Sequence, residues 1–317
     1  MTSGGDAPGM NACIRAVVRS AAFHNVEVVG IRRGFQGMID NEMSLLSVNE
    51  VGNIIQYGGT ILKSARSKEF MTPEGREKAY QNLKSQGVEG IVCIGGNGTY
   101  TGAGIFYKEY GIPSVGAPGT IDNDLFGTDF TIGYDTAVNT ALDAIDRIRD
   151  TADSHNRIFF IEVMGRDSGF IALNSGLAGG AEAILLPEIM NDYDDLIANF
   201  EDDSKRKKAF SIIVVAEGET DGHAFDIAEN FKKKFPVYDV RVSVLGHIQR
   251  GGKPSANDRI LASTLGNAAV EQLLAGNTNV CVGVVNHEVK ITSYADAITQ
   301  KKSINPVLWN LSKILSY

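Results

Sequence analysis

The chain has 317 residues, 43% of them hydrophobic and 21% charged, which suits one large domain or two medium ones with proper cores. A net charge of -8 disfavours a nucleic-acid or membrane surface as the main partner, and no apolar run is long enough to span a bilayer. Cys13, Cys93 and Cys281 are odd in number and lack metal-ligand spacing, so they read as buried free thiols of a reducing compartment, the cytoplasm.

The first recognisable element is a loop, TSGGDAPG at residues 2–9, followed by an apolar helical pattern from Asn11 to His24. Loops of this kind handle phosphate and are launched from the C-terminal end of a strand. Only Met1 and Thr2 precede this one. Further on, strands are expected at residues 26–31, 90–94, 114–117, 157–164, 183–186, 210–216, 240–245 and 280–285. Their apolar character is continuous rather than alternating, as in parallel strands buried on both faces. Amphipathic helices lie between them. Residues 134–150 put Ala137, Val138, Ala141, Leu142, Ile145 and Ile148 at helical spacing, and residues 255–275 read the same way. The basic run SKRKK, residues 204–208, reads as a solvated helix end. Strands alternating with helices give an α/β fold with sites at the carboxyl ends of strands.

Clusters of chemistry follow those strand ends. IVCIGGNGTYTGAG, residues 91–104, is either an ordinary strand-to-helix turn or a cradle in which Gly96 and Gly98 let phosphate approach backbone N–H groups. PGTIDND, residues 118–124, is either a wet acidic loop or a pair of aspartates, one taking a hydroxyl proton while the other organises Mg2+. Arg66, Arg157, Arg166, Arg241 and Arg250 each sit at an expected strand end or beside glycines. Singly they read as surface residues. Together with His247 and Glu217 they suit an anionic, polyhydroxylated ligand, since guanidinium grips phosphate through two parallel hydrogen bonds.

Taken in order, TSGGDAPGMN, the GGNG turn, PGTIDND, SHNR, EVMGR, GHIQRGG and DRILAS resemble the bacterial ATP-dependent 6-phosphofructokinase family across nearly the whole chain. The resemblance implies two Rossmann-like three-layer αβα domains with mostly parallel sheets. Residues 1–132 plus 248–298 would form a large ATP-binding domain, and 133–247 plus 299–317 a small sugar-phosphate domain. It implies transfer of the γ-phosphoryl of ATP to the 1-hydroxyl of fructose 6-phosphate. Asp122 matches the catalytic base, Arg166 the residue that stabilises developing charge, and Thr120 a neighbour of the reacting phosphoryl. Gly5, Arg66, Ser67, Gly96, Asn97, Gly98 and Thr99 match the ATP site. Thr120, Asp122, Met164, Gly165, Arg166, Glu217, His247 and Arg250 match the sugar-phosphate site. Arg157 and Arg241 match arginines contributed by a neighbouring subunit, so a homotetramer with shared sites is implied.

Mg2+ is the implied cofactor, held by Asp124 and by Asn97, where the family usually has an aspartate. A neutral amide is the poorer partner, so a raised Mg2+ requirement is expected. Phe35 stands where a tyrosine is common. Gly98 and Gly119 oppose a pyrophosphate donor, because pyrophosphate-using relatives carry an acid and a lysine there. Arg15, Arg19, Arg149, Glu182 and Lys208 match effector-binding positions, whereas Val48, Ala209 and Phe210 replace an arginine, a lysine and a histidine. Altered allosteric control is therefore expected. The family also has a strand of about six residues ahead of the opening loop. Without it the chain is expected to fold poorly or to hold ATP loosely, and the sequence is expected either to start inside a longer reading frame or to have been trimmed at its N-terminus.

Overall fold

The computed structural model describes residues 1–155, 157–190, 192–201 and 211–315. The chain divides into two compact units. One comprises Met1–Ile121, Leu125–Thr136 and Arg250–Lys302, and the other Asp122–Asp124, Ala137–Gln249 and Ser303–Tyr317. Elements are numbered in chain order.

The first unit is built on a four-stranded sheet of order β10-β9-β4-β3, with β3 Ile91–Gly95, β4 Ser114–Pro118, β9 Val280–Val285 and β10 Glu288–Ser293. The pairs β3–β4 and β4–β9 are parallel, and the edge strand β10 is antiparallel to β9. A separate antiparallel pair joins β1, Val29–Ile31, to β2, Met43–Leu45. Neither β2 nor β10 was expected, because β2 is short and β10, EVKITS, is mostly polar.

The opening loop is better supported than its sequence suggested. Thr2 makes a parallel bridge to Ile94, Ile94 N–H donates to Met1 O at 2.9 Å, and Ser3 N–H donates to Ile94 O at 3.0 Å. Residues 1–3 thus run along the edge of β3 with ladder hydrogen bonds.

Helix α1, Met10–Phe23, packs on α9, Ala256–Leu274. Their approach is close because Gly266 has no side chain. A Cβ there would lie 2.7 Å from Ala16 Cβ and 2.8 Å from Cys13 O. Asp258, in the first turn of α9, is buried and accepts from the N–H groups of Gly133 and Thr136, both at 2.8 Å, and from Thr136 Oγ1. Phe35, Phe70 and Phe106 anchor the apolar core of this unit with Met38 and Leu83. All three cysteines are buried and free. Burial pushes the thiols of Cys13 and Cys281 up to about 12 and that of Cys93 up to about 11, which keeps them inert.

The second unit holds a fully parallel sheet of order β6-β7-β5-β8, with β5 Arg157–Val163, β6 Ala183–Leu185, β7 Ser211–Ala216 and β8 Asp239–Val244. Every residue of β7 is buried, as continuous apolar runs predict for a central parallel strand. Phe160, Phe200 and Phe231 pack edge to face in its core. The register Val163↔Ala216 brings the carboxyl ends of β5 and β7 level. That register puts the EVMGR and EGE segments side by side. The basic run at residues 204–208, with the Lys208, Ala209 and Phe210 positions, lies outside the described residues.

Candidate active site

In the first unit the Gly96–Thr99 turn and Thr120 follow the carboxyl ends of β3 and β4. Gly96, just past the strand, caps α4, Asn97–Tyr110, and Asn97, Gly98 and Thr99 form its first turn. A helix start of this kind directs N–H groups and a positive dipole end outward. A Cβ built on Gly98 meets nothing within 4 Å, so space is open above this turn. A Cβ on Gly96 would lie 3.7 Å from Thr120 Cβ, which makes these two residues neighbours. The carbonyl of Thr120 accepts from Thr131 Oγ1 at 2.6 Å, fixing the start of the PGTIDND loop. Gly119 is crowded: its Cβ would sit 3.0 Å from Ile94 Cγ2 and 3.1 Å from Met10 Cε.

Thr99 and Ser67 have structural duties. The Thr99 hydroxyl is buried and donates to Ser3 O at 3.2 Å, tying the opening loop to the start of α4. Ser67 Oγ donates to Gln36 Oε1 at 2.8 Å and accepts from Phe70 N–H at 3.1 Å. Arg66 is exposed, with no hydrogen bond or ion pair among the described residues, so its guanidinium is free for an anion. Arg250 lies against the opening loop. Its Nη1 donates to Asp6 O at 3.3 Å and would sit 2.5 Å from a Cβ on Gly5. Gly5 and Arg250, assigned by sequence to the nucleotide and the sugar phosphate respectively, are therefore direct neighbours.

In the second unit, Met164, Gly165 and Arg166 leave the end of β5 in a tight turn. Arg166 has φ 56°, in the left-handed region that non-glycine residues seldom occupy, and Asn123 has φ 54°. Such strain concentrates at functional sites. Ser168 holds the turn, since its N–H donates to Gly165 O at 3.0 Å. Its hydroxyl lies 2.8 Å from both Gly165 O and Asp122 O. Ser168 carries no chemical signal in the sequence, because a small hydroxyl inside the MGRDSG turn resembles any turn residue. Asp122 itself is 4% exposed, whereas Asp124 is half-buried.

Glu217 follows β7 and accepts from Arg166 N–H through Oε2 at 3.2 Å. Gly218 permits this approach, because a Cβ there would lie 2.0 Å from Arg166 O. Met164 N–H donates to Gln249 Oε1 at 3.3 Å, and Gln249 Nε2 donates to Gly246 O at 3.1 Å. Fully buried Gln249 thus braces the turn that presents exposed His247.

Two candidates do not join this group within the chain. Arg157 begins β5, seven residues long, while Arg166 lies past its other end, so roughly 20 Å of strand separates them. Arg157 and Arg241 instead meet at Asp239, at 2.8 Å and 3.0 Å. The Arg157 hydrogen bond, and then the nearby Arg241 charge, hold the Asp239 carboxyl below its usual range. Among the effector candidates, Arg149 lies 4.0 Å from Glu182 and donates to the carbonyls of Gly179 and Gly180. Arg15 and Arg19 lie one turn apart on α1, and Lys208 is outside the described residues.

Residues 1–273 match the family model described as Phosphofructokinase. An ATP-dependent 6-phosphofructokinase of Cytophaga hutchinsonii is 58% identical over 99% of this chain and 96% of its own length. The ATP-dependent 6-phosphofructokinase 1 of Thermus thermophilus is 59% identical over 99% and 98%. Among solved structures, the phosphofructokinase from Saccharomyces cerevisiae matches with a TM-score of 0.90 at 33% identity, over 100% of this chain, which spans 47% of the yeast chain. A pyrophosphate-dependent phosphofructokinase from Marinobacter aquaeolei matches at 0.81 and 26%, over 96% of this chain and 84% of that one.

Proposed function

Because this chain belongs to the phosphofructokinase family, we infer that it is an ATP-dependent 6-phosphofructokinase. It moves the γ-phosphoryl of ATP to the 1-hydroxyl of fructose 6-phosphate, giving fructose 1,6-bisphosphate and ADP in glycolysis. Full-length similarity to curated relatives that carry the ATP-dependent name, at 58% and 59% identity, is the observation that carries this reading. Pyrophosphate as donor is disfavoured at two glycines. The open space at Gly98 leaves room for the α-phosphate and nucleoside, and the packing around Gly119 leaves little for a lysine.

In this reading Asp122 takes the proton of the 1-hydroxyl as its oxygen bonds to the γ-phosphorus. The bond from that phosphorus to the β-phosphate oxygen breaks, and ADP leaves with the electron pair. Burial of Asp122 and its tie to the Gly165–Ser168 turn support the role, because a base must be held in place while the proton moves. Arg166, whose side chain has no partner among the described residues, is read as the cation that balances charge on the transferring group. Thr120, Gly96 and the α4 start would flank the phosphates, with Arg66, Ser67, Thr99 and Gly5 completing the ATP half. One oxygen of Glu217 is engaged by Arg166 N–H, which leaves the other for a sugar hydroxyl. Met164, Gly165, His247 and Arg250 are read as further sugar-phosphate contacts.

Phosphoryl transfer requires a divalent cation, here read as Mg2+. The Asp124 carboxylate and the Asn97 amide would hold it, which fits an ion that takes one or two protein oxygens and leaves its other positions to phosphate and water. When bound, it neutralises phosphate charge. Arg157 and Arg241, at the far end of β5 from Arg166, are read as serving a neighbouring copy, and this supports a homotetramer with shared sites. Arg15, Arg19, Arg149, Glu182 and Lys208 are read as an effector site. Residues 1–132 with 248–298 would bind ATP, and 133–247 with 299–317 the sugar phosphate. Among the described residues no helix is long and apolar enough to cross a membrane; a cytoplasmic location follows from the glycolytic role.

The test is fructose 1,6-bisphosphate production from ATP and from pyrophosphate, by the natural chain and by Asp122→Ser. ATP-driven turnover that falls by roughly 10²–10⁴ in the variant, with KM for fructose 6-phosphate nearly kept, supports the reading. Turnover unaffected by the substitution, or driven by pyrophosphate alone, overturns it.

A further inference from the structure

A second acidic site lies in the sugar-phosphate unit, among residues that the phosphoryl-transfer reading does not use. Asp192 opens α7, Asp192–Glu201, shortly after β6, and Glu219 and Asp221 follow β7, the strand paired with β6. One carboxylate oxygen from each of the three lies within 4.8 Å of the others. Asp192 is 5% exposed and Glu219 7%, so two of these carboxylates are out of water. Asp221 is exposed and gives the cluster its access to solvent.

The hydrogen bonds on these groups are one-sided. Asp192 Oδ2 accepts from Leu186 N–H at 2.6 Å. Glu219 Oε1 accepts from Thr220 N–H at 2.6 Å, Thr220 Oγ1 at 3.1 Å and Asp221 N–H at 3.3 Å. The other two oxygens, Asp192 Oδ1 and Glu219 Oε2, are buried and have no hydrogen-bond partner among the described residues. Buried carboxylate oxygens without a donor are costly, and acids gathered together repel one another. Burial first, and then the Glu219 and Asp221 charges, push the Asp192 carboxyl up to about 7. A cation would relieve both the desolvation and the repulsion.

We propose that Asp192, Glu219 and Asp221 form a binding site for a hard divalent cation, separate from the metal that accompanies ATP. The donor set decides the class of ion. All three ligands are carboxylate oxygens, with no histidine or cysteine in the cluster, which selects Ca2+, Mg2+ or Mn2+ over zinc or copper. Opposite ligands of Ca2+, at about 2.3–2.6 Å from the ion, stand about 4.6–5.2 Å apart, a spacing to which three oxygens within 4.8 Å conform. Asp192 Oδ1 and Glu219 Oε2 are the buried ligands, Asp221 closes the site from solvent, and water completes the shell. The ion ties the start of α7 to the loop after β7. Because Glu217 is two residues from Glu219 and braces Arg166, the bound ion stiffens the segment that presents the sugar contacts.

Equilibrium dialysis of the nucleotide-free full chain against Ca2+, with Mn2+ and its electron paramagnetic resonance signal in a parallel series, tests the proposal. The natural chain is expected to bind one ion and to gain thermal stability as the ion is added. Glu219→Gln keeps an Oε1 acceptor for the Thr220 and Asp221 donors, so it preserves the loop while removing ligand charge. It is expected to lose at least tenfold in affinity. Asp221→Asn, at an exposed position, is expected to weaken binding with no change in the ion-free melting temperature. Asp124→Asn is expected to leave this ion in place, which separates it from the metal proposed for ATP. No binding at millimolar Ca2+ or Mn2+, or binding indifferent to both Glu219→Gln and Asp221→Asn, overturns the proposal and leaves Asp192 and Glu219 as a pair sharing a proton.

Discussion

Arg157 Nε donates to Asp239 Oδ2 at 2.8 Å, and the same carboxylate receives Arg241 Nη2 at 3.0 Å. Arg157 starts β5 and Arg241 lies in β8, the strand beside it, so parallel pairing carries both guanidiniums to one carboxylate. The shared carboxylate offsets the repulsion between these two like charges. Asp239→Asn should weaken this arrangement. Steady-state kinetics are expected to show KM for fructose 6-phosphate raised roughly tenfold with kcat nearly kept, because the arginines would bind substrate without touching the transferred group. An unchanged KM would mean that the pair needs no organiser.

Ser168 is the link between Asp122 and the turn bearing Arg166. Ser168→Ala removes a hydroxyl that lies 2.8 Å from each of two carbonyls, at about 1–2 kcal/mol. If Asp122 is the base, the expected result is kcat lowered by about tenfold with little effect on either KM, since its misplacement would be felt in the transition state. Circular dichroism should show an intact fold. A fall in KM and kcat together would point instead to ground-state strain at the left-handed Arg166.

Gly98→Asp probes the choice of phosphoryl donor. Since a Cβ at Gly98 meets nothing, the variant should fold with an unchanged melting temperature. Its carboxylate would stand in the first turn of α4 and repel the phosphates of ATP. KM for ATP is expected to rise about tenfold or more, more steeply at low salt than at high. An ATP affinity equal to that of the natural chain would remove the α4 start from the nucleotide site.

Arg76 and Glu109 give a pH signature unrelated to catalysis. Buried Arg76 meets Glu109 through two hydrogen bonds of 2.5 and 2.7 Å, and its Nη1 also donates to Phe70 O and Met71 O. The Arg76 hydrogen bond holds the Glu109 carboxyl below its ordinary 4.5. A depressed acid adds stability above its unfolded value, and that contribution is lost as pH falls through the folded one. Melting temperature should therefore drop more steeply below pH 4.5 in the natural chain than in Arg76→Met. At pH 7 the variant should be less stable by about 2–3 kcal/mol, because two carbonyls and a carboxylate lose their donor. Parallel pH curves would show that the pair contributes nothing.

The sequence by itself determined the α/β class, the strands that bear the chemistry, and the order of the clusters behind them. It could do so because buried parallel strands must be continuously apolar and because phosphate contact demands glycine, acid and arginine at strand ends. The family was legible for the same reason: GGNG, PGTIDND, MGR and GHIQRGG constrain backbone and charge together. What the sequence could not determine was which of those residues meet. The Val163↔Ala216 register, set by interstrand hydrogen bonding, is what brings Glu217 to the Arg166 N–H. Long-range folding likewise brings Thr99 to Ser3 and lays Arg250 against Gly5. Asp192 and Glu219 stand 27 residues apart in the chain and carry no motif. Only the pairing of β6 with β7 sets them face to face, and only burial turns two ordinary acids into a candidate ion site.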